Sequence, residues 1–306
     1  MSDKHEKDID QISGVETTGH EWDGIKELNN PLPKWWLYTF YATILFAIGY
    51  TIVYPSWPFP SGDGWTYVKG TADYAQRTDV AEEIGAVKAE QAKYVDEIRS
   101  ADFAAITAND ELHDFALQGG KAAFGDNCAG CHGSGAQGFT GFPNLNDDDW
   151  LWGGTIDAIY TTIQHGIRSE TDPETRLSDM PRFLADGILD RDGVLDVTEY
   201  VLSLSGKAED EARVARGAVI YEEQCVACHM EGGAGSHDLG APKLSDAIWL
   251  YGGDRAAVYE TVAYARRGVM PAWAGRLDEA TIKQLALYVY SLGGGEAAPV
   301  ESMESR

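Results

Sequence analysis

Residues 128–132 read Cys-Ala-Gly-Cys-His, and residues 225–229 read Cys-Val-Ala-Cys-His. They hold all four cysteines of the 306-residue chain. C-x-x-C-H is the attachment motif of c-type haem. Two thiols one helical turn apart can each add to a vinyl group of one porphyrin, and the adjacent histidine then lies beneath the ring as the proximal iron ligand. A closed zinc site built from the same residues is disfavoured, because the two pairs stand 97 residues apart. A thioredoxin-like dithiol needs a βαβ setting, and none surrounds either pair. The expectation is two covalently bound c-type haems, on Cys128 with Cys131 and on Cys225 with Cys228, each with an axial histidine, His132 or His229.

A sixth ligand is read from methionine. Met180 and Met270 each precede proline, in Met-Pro-Arg-Phe and Met-Pro-Ala-Trp, 48 and 41 residues after His132 and His229. Each Met-Pro resembles the sixth-ligand loop of small class I c-type cytochromes. Proline stiffens such a loop, and a soft thioether opposite histidine raises the reduction potential. The spacing leaves open which haem each methionine serves. Met230 directly follows His229 and cannot reach the opposite ring face. His165 is a less economical ligand, because its counterpart in the second copy is Tyr264.

The motifs sit inside a duplication. GKAAFGDNCAGCH (120–132) aligns with GAVIYEEQCVACH (217–229), and EYVLSLSG (199–206) with LYVYSLGG (287–294). Trp150 and Trp152 match Trp249 and Tyr251; with Trp273 they are expected to pack the core or edge of these units. The first copy carries extra residues around Ser169–Arg176. Each copy reads as helix, C-x-x-C-H, glycine-rich loop, helix, Met-Pro loop and closing helix. With no convincing alternating strand, the fold class is all-α. Asp190, Asp192 and Asp196 fail the EF-hand spacing and read as a turn leading into a helix.

Upstream, Trp35 to Tyr54 is a run of twenty uncharged residues, WWLYTFYATILFAIGYTIVY. At ~1.5 Å per residue it matches the ~30 Å hydrocarbon core of a bilayer. Aromatic residues stand at both ends, as suits the two interfaces. The run starts behind an acidic lead with no small-residue cleavage site after it, so it reads as an uncleaved single anchor. In bacteria c-type haem is attached on the outer face of the cytoplasmic membrane. Both motifs follow the span, so the expected N-terminus is cytoplasmic and the haem units periplasmic. The expected organisation is a cytoplasmic segment (1–34), a transmembrane helix (35–54), a periplasmic helical connector (55–111), two tandem cytochrome domains (112–206 and 207–294) and a disordered tail (295–306).

The formal charge is −25, from 49 acidic and 24 basic side chains. That argues against nucleic acid, whose phosphates need a patch of Lys and Arg. An acidic surface after the span would steer a basic donor protein. A dihaem peroxidase needs one open or displaceable iron site, and the two copies show no such asymmetry.

One anchor followed by two C-x-x-C-H units with Met-Pro loops resembles the dihaem subunit III of cbb3-type cytochrome c oxidases, the FixP family. Trp22-Asp23-Gly24-Ile25, the run Glu27 to Pro33 leading into Trp35-Trp36, and Tyr54-Pro55-Ser56-Trp57-Pro58 are similar to that family around its anchor. Some members carry a second anchor, which is not seen here. The resemblance implies an electron relay in the bacterial inner membrane without a catalytic centre of its own. Electrons would come from a donor c-type cytochrome and pass to the monohaem and catalytic subunits, where oxygen is reduced. It also implies that the two haem domains pack about a pseudo-twofold, with methionines exchanged or not.

Overall fold

The computed structural model describes residues 8–297. The chain forms two compact units that meet in sequence at Ala89 and Glu90.

The first unit opens with a two-stranded antiparallel hairpin, β1 (Thr17–Trp22) and β2 (Ile25–Leu28). Asp23 and Gly24 both take positive φ at its tip, the backbone that a two-residue hairpin turn requires. Helix α1 (Lys34–Val53) follows. It is apolar all round, and none of its residues is buried by protein. A twenty-residue helix whose one charge is Lys34 at its first position, and none of whose residues is buried, is suited to lipid, and the chain is a single-pass membrane protein. A second hairpin, β3 (Pro58–Ser61) and β4 (Gly64–Tyr67), comes directly after.

These hairpins amend two expectations. The fold is mostly helical, not all-α, and the stretch 55–111 is not helical throughout. The strands TTGHEW, IKEL, PFPS and GWTY carry no sustained alternation of apolar and polar residues, the pattern by which a strand is read in sequence.

Helix α2 (Gln76–Ser100) runs from the first unit into the second. Its end is more than a spacer. Ile98 is fully buried in a cluster with Ile106, Leu112, Ala116, Ala280 and Leu287. The Lys283 ammonium donates to the carbonyls of Arg99 and Ala101 at 2.7 and 3.0 Å, a favourable place for a cation because helix C-termini carry partial negative charge.

After α3 (Phe103–Ala108) come four helices of the first copy: α4 (Asp110–Asn127), the single turn α5 (Ala129–His132), α6 (Ile156–His165) and α7 (Arg191–Ser203). The second copy repeats them as α8 (Glu211–Gln224), α9 (Val226–His229), α10 (Arg255–Tyr264) and α11 (Glu279–Tyr290). Asn109, Thr155, Asp190, Asp210, Asp254 and Asp278 cap them by accepting backbone N–H groups of the first turn. Thus Asp190 is a helix cap. Asp196 lies inside α7, buried, and accepts from Arg213 (2.7 Å) and Arg216 (2.7 and 2.8 Å) of α8.

The copies are interlocked through their closing helices. α7 of the first copy packs on α8 and α10 of the second, while α11 of the second packs on α4 and α6 of the first. Matching glycines permit this. A Cβ at Gly217 of α8 would overlap the Asp196 carbonyl of α7, and one at Gly120 of α4 would overlap the Gln284 carbonyl of α11. One turn on, Tyr221 meets Tyr200 with ring centroids 4.8 Å apart, and Phe124 meets Tyr288 at 5.5 Å.

The tail expected to be disordered from residue 295 is bound at its start. Glu296 accepts from the Gly154 amide at 2.5 Å and returns its own N–H to the Gly154 carbonyl at 2.9 Å. The Trp150 indole donates to the Gly294 carbonyl at 2.6 Å. Residues 298–306 lie outside the described residues.

Candidate functional site

Each C-x-x-C-H begins where a long helix ends. The Cys128 amide still bonds back to Phe124, and the Cys225 amide to Tyr221. The next turn then closes on the first cysteine. Cys131 and His132 donate to the Cys128 carbonyl at 3.1 and 3.0 Å, and Cys228 and His229 to the Cys225 carbonyl at 3.1 and 2.9 Å. One cysteine of each pair is half-buried and the other exposed. Burial pushes the Cys128 and Cys225 thiols up to about 11, so both stay protonated at neutral pH. Among the described residues no three His, Cys, Asp or Glu side chains converge as a metal cluster. The four cysteines are divided between the two copies and do not meet as one zinc site.

The imidazoles are oriented alike. His132 Nδ1 lies 3.1 Å from the Pro143 carbonyl, and His229 Nδ1 lies 3.0 Å from that of Pro242. A carbonyl can only accept, so Nδ1 carries the proton and donates. Nε2 keeps its lone pair for an iron. Burial lowers both histidines' affinity for a second proton, which preserves that lone pair.

The methionines lie across the copies. A cavity of 490 Å³ holds Cys225, Cys228 and His229 of the second copy on its lining together with Met180 of the first. Tyr221, Trp249, Val258 and Val262 complete its apolar wall. Backbone bonds hold the loop there: Phe183 and Leu184 donate to the carbonyls of Val262 and Ala263 at 3.3 Å. The converse holds for Met270. It packs in a cluster with Phe124, Cys128, Ala129 and Ile159 of the first copy. Its amide and carbonyl pair with those of Ile167 at 3.0 and 2.9 Å. His165 is engaged elsewhere, 3.1 Å from the Asp172 carboxylate.

Some site residues had no visible signal in the sequence. Arg176 lies over the Trp152 ring at 5.3 Å and donates to the Ala158 carbonyl at 3.3 Å. Arg266 lies over the Tyr251 ring at 5.0 Å and donates to the Ala257 carbonyl at 2.6 Å. These arginines are counterparts, but the insertion around Ser169–Arg176 shifts them out of alignment.

A c-type haem fits the residues present. Each copy supplies two thiols and an imidazole with a directed Nε2, and the Met-Pro loop of the other copy lies beside them. The Trp249 indole N–H and the Arg176 Nε–H are buried without a hydrogen-bond partner among the described residues. Both are donors, as anionic propionates need, and a buried donor left unpaired costs about 1–3 kcal/mol.

Residues 14–61 match the family model described as the N-terminal domain of cytochrome oxidase-cbb3, FixP. Residues 117–205 match cytochrome c, and residues 212–289 match cytochrome c oxidase, cbb3-type, subunit III. The cbb3-type cytochrome c oxidase subunit CcoP of Cereibacter sphaeroides is 54% identical over 280 residues, covering 92% of this chain and 95% of the relative. The subunit CcoP of Azospirillum sp. is 53% identical over 295 residues, covering 94% and 98%. The subunit FixP of Rhizobium meliloti is 50% identical over 296 residues, covering 97% and 100%. With its membrane span and cytochrome c-like fold, the chain belongs to the CcoP/FixP family, subunit III of cbb3-type cytochrome c oxidases, as a membrane-anchored c-type cytochrome that transfers electrons and has no catalytic role.

Proposed function

We propose that the chain carries two covalent c-type haems in tandem class I cytochrome units with exchanged sixth ligands. Cys128 and Cys131 would hold one haem, with His132 and Met270 as its iron ligands. Cys225 and Cys228 would hold the other, with His229 and Met180. Met180 lining the same cavity as His229 is the observation that carries this assignment. When bound, each haem supplies a one-electron iron couple whose potential is raised by His/Met ligation.

The chain's own residues do the rest. Pro143 and Pro242 hold the imidazoles in one tautomer through their carbonyls. The clusters around Phe124 and Tyr221 keep water from the iron faces. Trp249 and Arg176 offer their unpaired donors to propionates.

In this reading electrons enter from a donor c-type cytochrome and leave to the monohaem and catalytic subunits of the oxidase. The N-terminal segment faces the cytoplasm and the haem units face the periplasm of a bacterial inner membrane. The negative charge beyond the span favours a basic donor.

The test crosses the two copies. A full-length Cys225→Ala/Cys228→Ala chain retains only the first haem. In it Met270→Leu should abolish the thioether-to-iron absorption band, while Met180→Leu leaves it. The reverse pattern would show that each methionine serves its own copy.

A further inference from the structure

We propose that the β3–β4 hairpin is an interfacial membrane anchor, lying in the headgroup layer beside the end of α1, where it sets the depth of the span. This rests on α1 being a membrane span.

Among the described residues, no residue of either strand of the hairpin is buried by protein. Trp57, Phe59, Trp65, Tyr67 and Val68 are 62, 43, 76, 59 and 44% exposed. The register pairs Pro58 with Tyr67 and Pro60 with Trp65, so those four share one face. By alternation Trp57, Phe59, Thr66 and Val68 share the other. Both faces are apolar, and neither strand bears a charge. The β1–β2 hairpin differs, since Glu21, Lys26 and Glu27 lie within its strands. An isolated two-stranded hairpin is marginal in water, and one with aromatic rings on both faces calls for an environment that is partly apolar and partly wet. Trp and Tyr favour the membrane–water boundary for that reason.

Backbone bonds hold it at that level. Only Tyr54 to Ser56 separate the last turn of α1 from Trp57. The strands close where Val68 donates to the Trp57 carbonyl at 2.9 Å. The chain then returns to the helix end, where Thr71 and Ala72 donate to the carbonyls of Ile52 and Val53 at 3.0 Å. Gly70 makes the return possible: its φ is +73°, and a Cβ there would overlap the Val53 carbonyl. Tyr54 and Tyr74 add an edge-on ring contact at 5.5 Å. The last two carbonyls of the helix, which hydrocarbon could not satisfy, are thereby paired by the same segment that carries the aromatic rings.

The edge chemistry favours lipid over a protein strand. With Trp57 and Val68 a hydrogen-bonded pair, Pro58 and Pro60 fall at positions whose N–H would point outward. Proline has none, so that edge cannot template strand addition.

The test uses the haem-loaded full chain in lipid nanodiscs, compared with Trp65→Phe and Trp57→Phe. The emission missing from each variant reports one tryptophan, on one face. It should be quenched by phospholipid brominated just below the headgroup and spared by aqueous iodide. Quenching by iodide alone would put the hairpin in water. Quenching by neither would put it against protein. Either result overturns the proposal. If brominated lipid quenches this component poorly but quenches the emission shared by all three proteins, the span stands and the hairpin assignment falls. If it quenches no emission at all, the span itself falls.

Discussion

Met180 and His229 line the same cavity although they belong to different copies of the repeat. Met270 of the second copy packs against the same buried cluster as Cys128 and Ala129 of the first. Each C-x-x-C-H thus faces a loop that the other copy supplies. A fragment carrying one repeat alone would therefore lack the Met-Pro loop and the closing helix that pack beside its C-x-x-C-H in the whole chain. The interlock therefore bears on folding as well as on ligation.

The helix crossing depends on Gly217. Its Cα meets the Asp196 carbonyl too closely for any side chain. Gly217→Ala should force α7 and α8 apart and cost about 2 kcal/mol, the usual range for overpacking. Thermal unfolding of the haem-loaded protein measures this. Gly125→Ala is the control, because nothing lies near a Cβ on that side of α4, and there helix propensity favours alanine.

Asp196 is held below the usual carboxylate range by its hydrogen bonds to Arg216 and Arg213, against the opposing effect of burial. A carboxyl whose folded value is depressed adds stability above its ordinary value of 3.8, and that stability is lost as pH falls through the lower folded value. Asp196→Ala should cost about 2 kcal/mol at neutral pH, in the range for hydrogen bonds to charged groups. The difference from the parent chain should shrink below pH 3.8. Denaturant titrations at pH 7 and pH 3 check both statements. An unchanged difference at the lower pH would show that the loss comes from packing.

Met230 sits just after His229 with φ 60° and ψ 170°, a region that is almost wholly glycine's. Its counterpart in the first copy is Gly133, with φ 81°. Strain there costs about 1–3 kcal/mol, whereas a glycine costs about 0.5–1 kcal/mol in chain entropy. Met230→Gly should therefore raise stability by about 1 kcal/mol. The absorption spectrum should stay unchanged, because Met180 and not Met230 lies with His229 on the cavity wall. A calorimetric scan with a matched spectrum tests both.

Much of this protein is local chemistry, and local chemistry is legible in sequence. The thiol spacing is one helical turn, the proximal histidine is the next residue, and the anchor is a continuous uncharged run. The family resemblance rested on the same short stretches. The two two-stranded hairpins are not legible in sequence because their pairing is decided by turn backbone, as at Asp23-Gly24. Arg176 and Arg266 went unseen because their equivalence lies in a shared place above Trp152 and Tyr251, not in a shared distance along the chain.

The sequence by itself determined what each copy contains: two thiols, an imidazole, a thioether loop and a closing helix, behind one membrane helix. Only the tertiary structure decided which copy's loop and helix pack beside which C-x-x-C-H. The two closing helices present similar apolar faces, and Gly120 and Gly217 offer similar seats. Residue type alone cannot choose between them. The choice lies in non-local contacts, the carbonyl of Asp196 on Gly217 and that of Gln284 on Gly120, which exist only once both copies have folded around each other.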